Sequence, residues 1–375
     1  MPEVVLDARW IAKGGTGTFT ASLLEGLAHH RPDGWAVWGP PAVRDRLWPG
    51  AAFVPGDADP AGAFGQRDAF RVPPGRLVLH PHQTRPAHRY PAASCVLDLI
   101  QLEHPSPAVR VAMAARLRRT VRAARILFTI SEEVRHQLVD AYRVDPADVT
   151  VLHLPVDDAA ARRIAARRAA GPPRGRYLVA VGRFAPHKNH RRLVEAFVAS
   201  RFAATGGELH LVGGNAAELV ALGVRRTAGV VVRGVLDAGQ LEAELAGALG
   251  LVQPSLREGH GLPVTEALLA GVPVTSSPVP AAVESGPPAL PVFDPHRTGE
   301  IARAIDELVD LVEGDRYWQR VDRTTWADGL PTSASLVGQV LDRLDRSGHP
   351  QQLTGASPDP HRAGLAPIGG EPPTP

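Results

Sequence analysis

Two glutamates, Glu258 and Glu266, flank the glycine-bounded turn Gly259-His260-Gly261-Leu262-Pro263. Pro263 suits the first position of a helix, where its missing N–H would have had no partner anyway. Glu266 then lies about one turn inside that helix, and the helix N-terminus between the two carboxylates offers backbone N–H groups to an anion. Carboxylates accept hydrogen bonds from hydroxyls. The pair therefore suits a polyhydroxy ligand that also carries phosphate, a description that fits a nucleotide sugar.

A second group of residues supplies cations. Tyr177–Gly182 is a short apolar run that reads as a buried strand, followed by the loop Arg183-Phe184-Ala185-Pro186-His187-Lys188-Asn189 and by a helical pattern around Leu193, Ala196 and Phe197. Strand, tight loop and helix place charged groups at the carboxyl edge of a parallel sheet. Arg183 offers a planar fork to phosphate oxygens and Lys188 a point charge. Of 41 Lys and Arg residues only Lys13 and Lys188 are lysines, and both stand in strand-to-helix loops expected to face phosphate. The alternative readings are a basic turn at the surface and two solvated glutamates before an ordinary helix.

The run Pro254-Ser255-Leu256-Arg257-Glu258-Gly259-His260-Gly261-Leu262-Pro263-Val264-Thr265-Glu266-Ala267, followed by Gly271-Val272-Pro273-Val274, resembles the E-x7-E signature of retaining glycosyltransferases of the GT-B fold, in the large fourth family. The resemblance implies that Glu258 accepts from sugar hydroxyls and Glu266 from the ribose of a nucleoside-diphosphate donor. It implies that Arg183 and Lys188 hold the diphosphate, and that Gly259, His260, Gly261 and Leu262 line the donor site. Gly14-Gly15-Thr16-Gly17 resembles the glycine loop of the same family, with Gly15 approaching the donor phosphates. As a lone motif it is weak, and the alternative is a plain glycine turn.

Two places depart from the family pattern. Leu154 and Pro155 stand where Asn or Gly is often found in the strand that closes the first domain. Many relatives carry His-Asp-Leu where this chain has Leu97-Asp98-Leu99, so the usual polar group beside the reacting sugar carbon is missing. Asp98, with His80 and His82 at the end of another strand, forms the candidate acceptor side. Core or surface histidines are the commoner case.

The elements that must position these groups alternate along the chain. Strands are expected at 3–6, 35–38, 76–80, 94–99, 126–130 and 149–152, with helices at 17–30, 107–123 and 131–141. Residues 49–75 read as irregular loop. After an Ala/Arg-rich stretch the alternation resumes, with strands at 177–181, 208–212, 229–232, 249–252 and 272–275 and helices at 188–200, 237–247, 263–270 and 298–312. The fold class is α/β, two Rossmann-like domains facing across a cleft. The domains are set at 1–170, the acceptor side, and 171–346, the nucleotide-sugar side, with a polar tail over 347–375 expected to be disordered. In the resembled fold the final helices, here near 315–346, cross back onto the first domain.

Composition sets the outer bounds. At 375 residues the chain can bury two cores, and its net charge of +2 does not suggest a nucleic-acid binder. A single cysteine, Cys95, excludes an intramolecular disulfide and a cysteine metal cluster. No signal pattern and no long apolar run appear, so a cytoplasmic location is expected. The basic segment 107–125, with Val109, Met113, Leu117 and Val121 at four-residue spacing, is either a solvated helix face or a peripheral contact with an anionic membrane.

The expected activity is metal-independent, retaining transfer of a hexosyl group, mannosyl or another, from a GDP- or UDP-linked donor to a glycan, lipid-linked or small-molecule hydroxyl. No cofactor is expected. Two cations and a helix end replace the metal, and Asp57-Ala58-Asp59 reads as a solvated turn. The rivals are a GT-B scaffold that binds a nucleotide sugar or a protein partner with little catalysis, and a nucleotide-sugar epimerase, against which the E-x7-E context argues.

Overall fold

Short apolar runs broken by Gly and Pro become strands here, and amphipathic stretches become the helices that cover them. The structure is a computed structural model and describes residues 2–11, 14–56, 76–83, 90–104, 106–156, 158–171 and 175–347. The first part runs β1 (Val4–Asp7), α1 (Gly14–His30), β2 (Trp35–Gly39), β3 (Ala52–Pro55), β4 (Leu77–His80), β5 (Ala92–Val96), α2 (Pro107–Ala123), β6 (Ala124–Thr129), α3 (Glu132–Tyr142) and β7 (Val149–Val151). After α4 (Asp158–Ala169) come β8 (Tyr177–Val181), α5 (His190–Ala199), α6 (Arg201–Ala204), β9 (Glu208–Val212), α7 (Ala216–Ala221), β10 (Val230–Gly234), α8 (Ala238–Gly247), β11 (Gly250–Gln253), α9 (Leu262–Leu269) and β12 (Val274–Ser276). The helices α10 (Pro280–Val283), α11 (Thr298–Glu313), α12 (Tyr317–Arg320), α13 (Arg323–Asp328) and α14 (Ser333–Ser347) complete the described chain.

Among the described residues the strands form two sheets, ordered β3-β2-β1-β4-β5-β6-β7 and β10-β9-β8-β11-β12, with every pairing parallel. Each order reverses once, between β1 and β4 in the first sheet and between β8 and β11 in the second. In an open parallel sheet that reversal is where loops diverge and a crevice opens. The expected α/β architecture, with two parallel Rossmann-like sheets, is therefore present. The strand β3 corrects one expectation, since it lies inside the 49–75 stretch that reads as irregular. It is four residues long, sits at the sheet edge, and is only partly covered, so its sequence carries little burial pattern.

The core of the first half gathers Leu6, Phe19, Leu24, Val37, Phe128 and Ile130. It is completed by Leu336, Val337 and Val340 of α14, which packs along α1 as the family resemblance leads one to expect. The approach is close: a Cβ added at Gly26 would lie 2.1 Å from the Ser333 carbonyl oxygen. The connecting helix α4 is fastened to the second half. Its Ala161 and Ile164 join that half's core, and Arg168 donates to the carbonyls of Ala246 (3.2 Å) and Ala248 (2.8 Å) at the end of α8. No described helix is long and apolar enough to cross a membrane.

Candidate functional site

At the reversal of the second sheet the loops after β8, β9 and β11 converge. Gly182 and Gly213 have φ of 153° and 116°, and a Cβ at Gly213 would meet the Gly182 carbonyl oxygen at 2.4 Å, so these loops touch backbone to backbone. Asn189, in the left-handed region at φ 60°, donates from Nδ2 to the carbonyls of Pro254 (3.1 Å) and Pro295 (2.8 Å). Leu256 N donates to the His187 carbonyl at 2.7 Å. These bonds fix the short turn Pro186–Lys188 against the loop that carries Glu258.

The result is a dense hydrogen-bond set on one carboxylate oxygen. Glu258 Oε1 accepts from Lys188 Nζ at 2.5 Å, Ser255 Oγ at 2.7 Å and Gln253 Nε2 at 3.0 Å. Charge-assisted bonds of this kind hold both ions in place. Gln253 and Ser255 were not identified from sequence; the Ser255 position inside the signature was the available cue. Arg183 is exposed at the mouth of the same loop.

The helix α9 opens with Gly261 at its N-cap, φ 105°, and with no side chain capping its first N–H groups. Leu262 takes the first helical position and Pro263 the second, one residue later than the sequence suggests. Glu266 is half-buried one turn in. His260 is buried, and burial lowers its imidazole to about 4, with His153 adding to the effect and Glu258 opposing it. It is therefore neutral near pH 7. Its Nε2 lies 3.4 Å from Thr265 Oγ1, and its carbonyl accepts from Ala281 N at 2.7 Å.

The first half meets this loop at Leu97. A Cβ added at Gly259 would lie 2.2 Å from the Leu97 carbonyl oxygen, and Leu262 packs on the core cluster that includes Leu97 and Ile130. Leu97 thus turns its side chain into the core and its backbone toward Gly259. Gln83, which sequence reasoning missed, holds this segment: its amide accepts from Leu97 N (3.2 Å) and donates to the Asp98 carbonyl (3.3 Å). Its own carbonyl accepts from Thr120 Oγ1 at 2.8 Å. Burial raises the Asp98 carboxyl above its ordinary range; bonds from Ile100 N and Gln101 oppose this, the Glu258 charge adds to it, and Arg183 opposes it. Asp98, Glu258 and Arg183 are therefore brought within electrostatic reach of one another across the cleft.

The two candidate histidines are placed differently. His80 is 1% exposed and its Nδ1 pairs with Asp7 Oδ2 at 3.1 Å. Asp7 also takes Arg9 through both oxygens, at 2.8 and 2.9 Å. His82 stacks on Trp10 with ring centroids 4.4 Å apart, and burial lowers it to about 4. Gly15 is exposed at the start of α1 with open space around it, whereas Gly17 is the glycine that packing requires: a Cβ there would lie 2.5 Å from the Ile11 carbonyl oxygen. Lys13, Asp57 and Asp59 lie outside the described residues. Among the described residues no cluster of His, Cys, Asp or Glu has metal-ligand geometry.

Further contacts bridge the halves. Arg257 pairs with Glu103 at 2.5 Å. Glu284 caps the N-terminus of α3, accepting from Glu132 N at 2.7 Å and Glu133 N at 2.8 Å. Beside them a cavity of about 560 Å³ opens between α3 and the loops that follow β11 and β12.

Residues 175–310 match the sequence family described as glycosyl transferases group 1. Two Mycobacterium leprae proteins, both named D-inositol 3-phosphate glycosyltransferase, are 34% identical over 210 residues, covering 51% of this chain and 47% of theirs. The chain thus spans about half the length of these curated relatives. Among solved structures, sucrose-phosphate synthase from Thermosynechococcus elongatus superposes with a TM-score of 0.71 at 17% identity, over 92% of this chain and 100% of that one. Anabaena HepE in complex with UDP and glucose superposes with a TM-score of 0.67 at 14% identity, over the same shares. The fold is GT-B.

Proposed function

We propose that this chain, a GT-B protein with a group 1 glycosyl transferase match over its second half, moves a sugar from a nucleoside-diphosphate donor to an acceptor hydroxyl. The observation that carries the reading is the convergence of Lys188 and Glu258 beside the uncapped N-terminus of α9. In this reading Arg183, Lys188 and the helix end take the charge that grows on the departing diphosphate. Glu258 holds sugar hydroxyls and Glu266 the ribose, while Gly15, Gly259, His260, Gly261 and Leu262 shape the donor pocket. The transfer is retaining and metal-independent, by front-face attack with the leaving phosphate as base, so the apolar Leu97 is tolerated. UDP and GDP are both candidate nucleotides, and the relative that binds UDP and glucose favours trying UDP first. Hexosyl groups, mannosyl included, are the candidate sugars.

The division at residue 170 gives 1–170 the acceptor and 171–346 the donor, with Asp98 and His82 on the acceptor side, while His80, sealed against Asp7, supports that side from within and does not reach a ligand. The chain works in the cytoplasm. Peripheral contact with an anionic membrane belongs to the same reading: α2 carries Arg110, Arg116, Arg118, Arg119 and Arg122 with no carboxylate, and its Val111 is 70% exposed. The second reading, a weakly catalytic scaffold, is favoured by Leu97 alone.

The test is calorimetric binding of UDP- and GDP-linked sugars without metal, on the wild type and Glu266→Ala. One nucleotide class should bind, and the substitution should weaken it about ten- to a hundredfold, the worth of a hydrogen bond to a charged group. No binding by any nucleotide sugar overturns the proposal.

A further inference from the structure

We infer that Gln253, at the buried end of β11, is a positioning residue: it anchors one oxygen of Glu258 so that the other meets the transferred sugar. The sugar role of Glu258 rests on the transferase reading above. The three donors on Glu258 all bond Oε1, which accepts from Lys188 Nζ, Ser255 Oγ and Gln253 Nε2. Among the described residues none bonds Oε2. Three donors fill the lone-pair sites of one carboxylate oxygen, so a ligand hydroxyl is left with Oε2. The side chain keeps 10% of its surface and borders the cavity described above. A carboxylate pinned through one oxygen does not turn away, and the sugar finds its acceptor already in place.

Gln253 is 1% exposed and follows Leu251 and Val252 in a strand buried along its whole length. Its backbone is held from the end of β12: Ser277 N donates to the Gln253 carbonyl at 2.8 Å, and Ser277 Oγ to that of Ser255 at 2.6 Å. Both hydrogens of its amide are spent, one on Ser255 Oγ at 2.8 Å and one on Glu258 Oε1 at 3.0 Å. Turning the amide over would set its oxygen against Glu258 Oε1, acceptor against acceptor, so the orientation is fixed. Ser255 then has its own hydrogen to give to Glu258. The arrangement leaves Gln253 Oε1 buried with no hydrogen-bond partner among the described residues. A stranded acceptor lowers stability, and an apolar side chain would avoid it. The glutamine is therefore explained by what its Nε2 does for Glu258 and not by the fold.

Two variants of the full chain separate the roles. Gln253→Met keeps the length of the side chain and removes both the donor and the stranded acceptor, so its melting temperature should equal or exceed that of the wild type. Its affinity for the nucleotide sugar that the calorimetric screen identifies should fall about tenfold. The same nucleoside diphosphate without sugar should bind within about twofold of wild type, because Lys188 and the α9 N-terminus remain. Gln253→Glu brings a second carboxyl to Glu258, which replaces the amide donor only while it carries a proton. Its turnover, measured by nucleotide release, should be displaced to lower pH. Lys188, His187, His260 and Asp98 interact with Glu258 in both proteins, so the wild type at each pH is the reference. A further readout needs no donor. The chain has two lysines, so isotope labelling of lysine nitrogen gives two ammonium signals by NMR, and Lys188→Arg assigns one of them. That signal should move, and exchange faster with water, in Gln253→Met. A clearly lowered melting temperature, equal weakening of both nucleotides, weakening of neither, a pH profile like that of the wild type, or an unmoved Lys188 signal overturns the inference and leaves donor binding and the transferase reading intact. A moved signal in a chain that binds no nucleotide sugar sustains the anchoring of Glu258 and overturns only the transferase reading.

Discussion

The two sheets reverse their strand order at equivalent places, and the chain uses the two crevices differently. In the first sheet, Asp7 ends β1 and His80 ends β4, and with Arg9 they fill the crevice; the three side chains are 0%, 1% and 3% exposed. In the second, Lys188 follows β8 and Glu258 follows β11, and they keep 14% and 10% of their surface. Both clusters pair a carboxylate with a cation. The first is sealed on all sides, with Arg9 lying 3.6 Å over the Trp38 ring. The second opens on a helix N-terminus and a cavity. Topology offers a site at every such reversal; what grows there, a plug or a pocket, depends on whether solvent and ligand can reach the charges.

The sharpest way to break the comparison is to remove one ion from each cluster. Asp7→Ala should cost about 3–5 kcal/mol of stability in denaturant melts, because Arg9 would lose its charge partner inside the protein. A loss under 1 kcal/mol would mean that the first crevice is not sealed. Acid should act on a comparable scale, several kcal/mol between about pH 6.5 and 4. His82, His190 and His260 are held at about 4 by burial, below their ordinary 6.5, so the unfolded chain binds more protons between those values. Stability is thus full above about pH 6.5 and falls as pH drops toward 4; the depressed carboxyl of Asp7 adds a further loss at lower pH. A melting temperature that is flat or rises from pH 6.5 to 4 would contradict this. The smallest effect on stability, about 1 kcal/mol or less, is expected for Glu258→Gln, which keeps an oxygen for Ser255 and Gln253. Its consequence should appear instead as lost donor turnover, measured by nucleotide release.

Most of the fold could be read because it is written locally. Runs such as Tyr177–Val181 and Glu208–Val212 carry their own apolar pattern and stand where expected. The edge strand Ala52–Pro55 does not, being short and half-solvated. Within the site, the spacing of Glu258 and Glu266 is legible because both sit on one loop and one helix. Gln83, which reaches Leu97 fourteen residues away, is legible only once the loops after two neighbouring strands are side by side, and Glu284, which reaches Glu132 from 152 residues away, only once the halves are assembled. His80 falls at a strand end as expected, but which way it faces is decided by Asp7, on a different strand. The pattern Val4-Val5-Leu6-Asp7-Ala8-Arg9 carries a usable signal: opposite charges two residues apart stand at the end of an otherwise apolar run.

The seating of α14 along α1 has a bearing on how the molecule is made. Residues Leu336, Val337 and Val340 close a core whose other fully buried members all fall within residues 6–154. During synthesis those members emerge first and wait, their groove on α1 uncovered, while the whole second half is built. Of the two halves, the one made earlier is the later to be completed, and a chaperone that shields that groove during the interval would cover an apolar surface of the nascent chain.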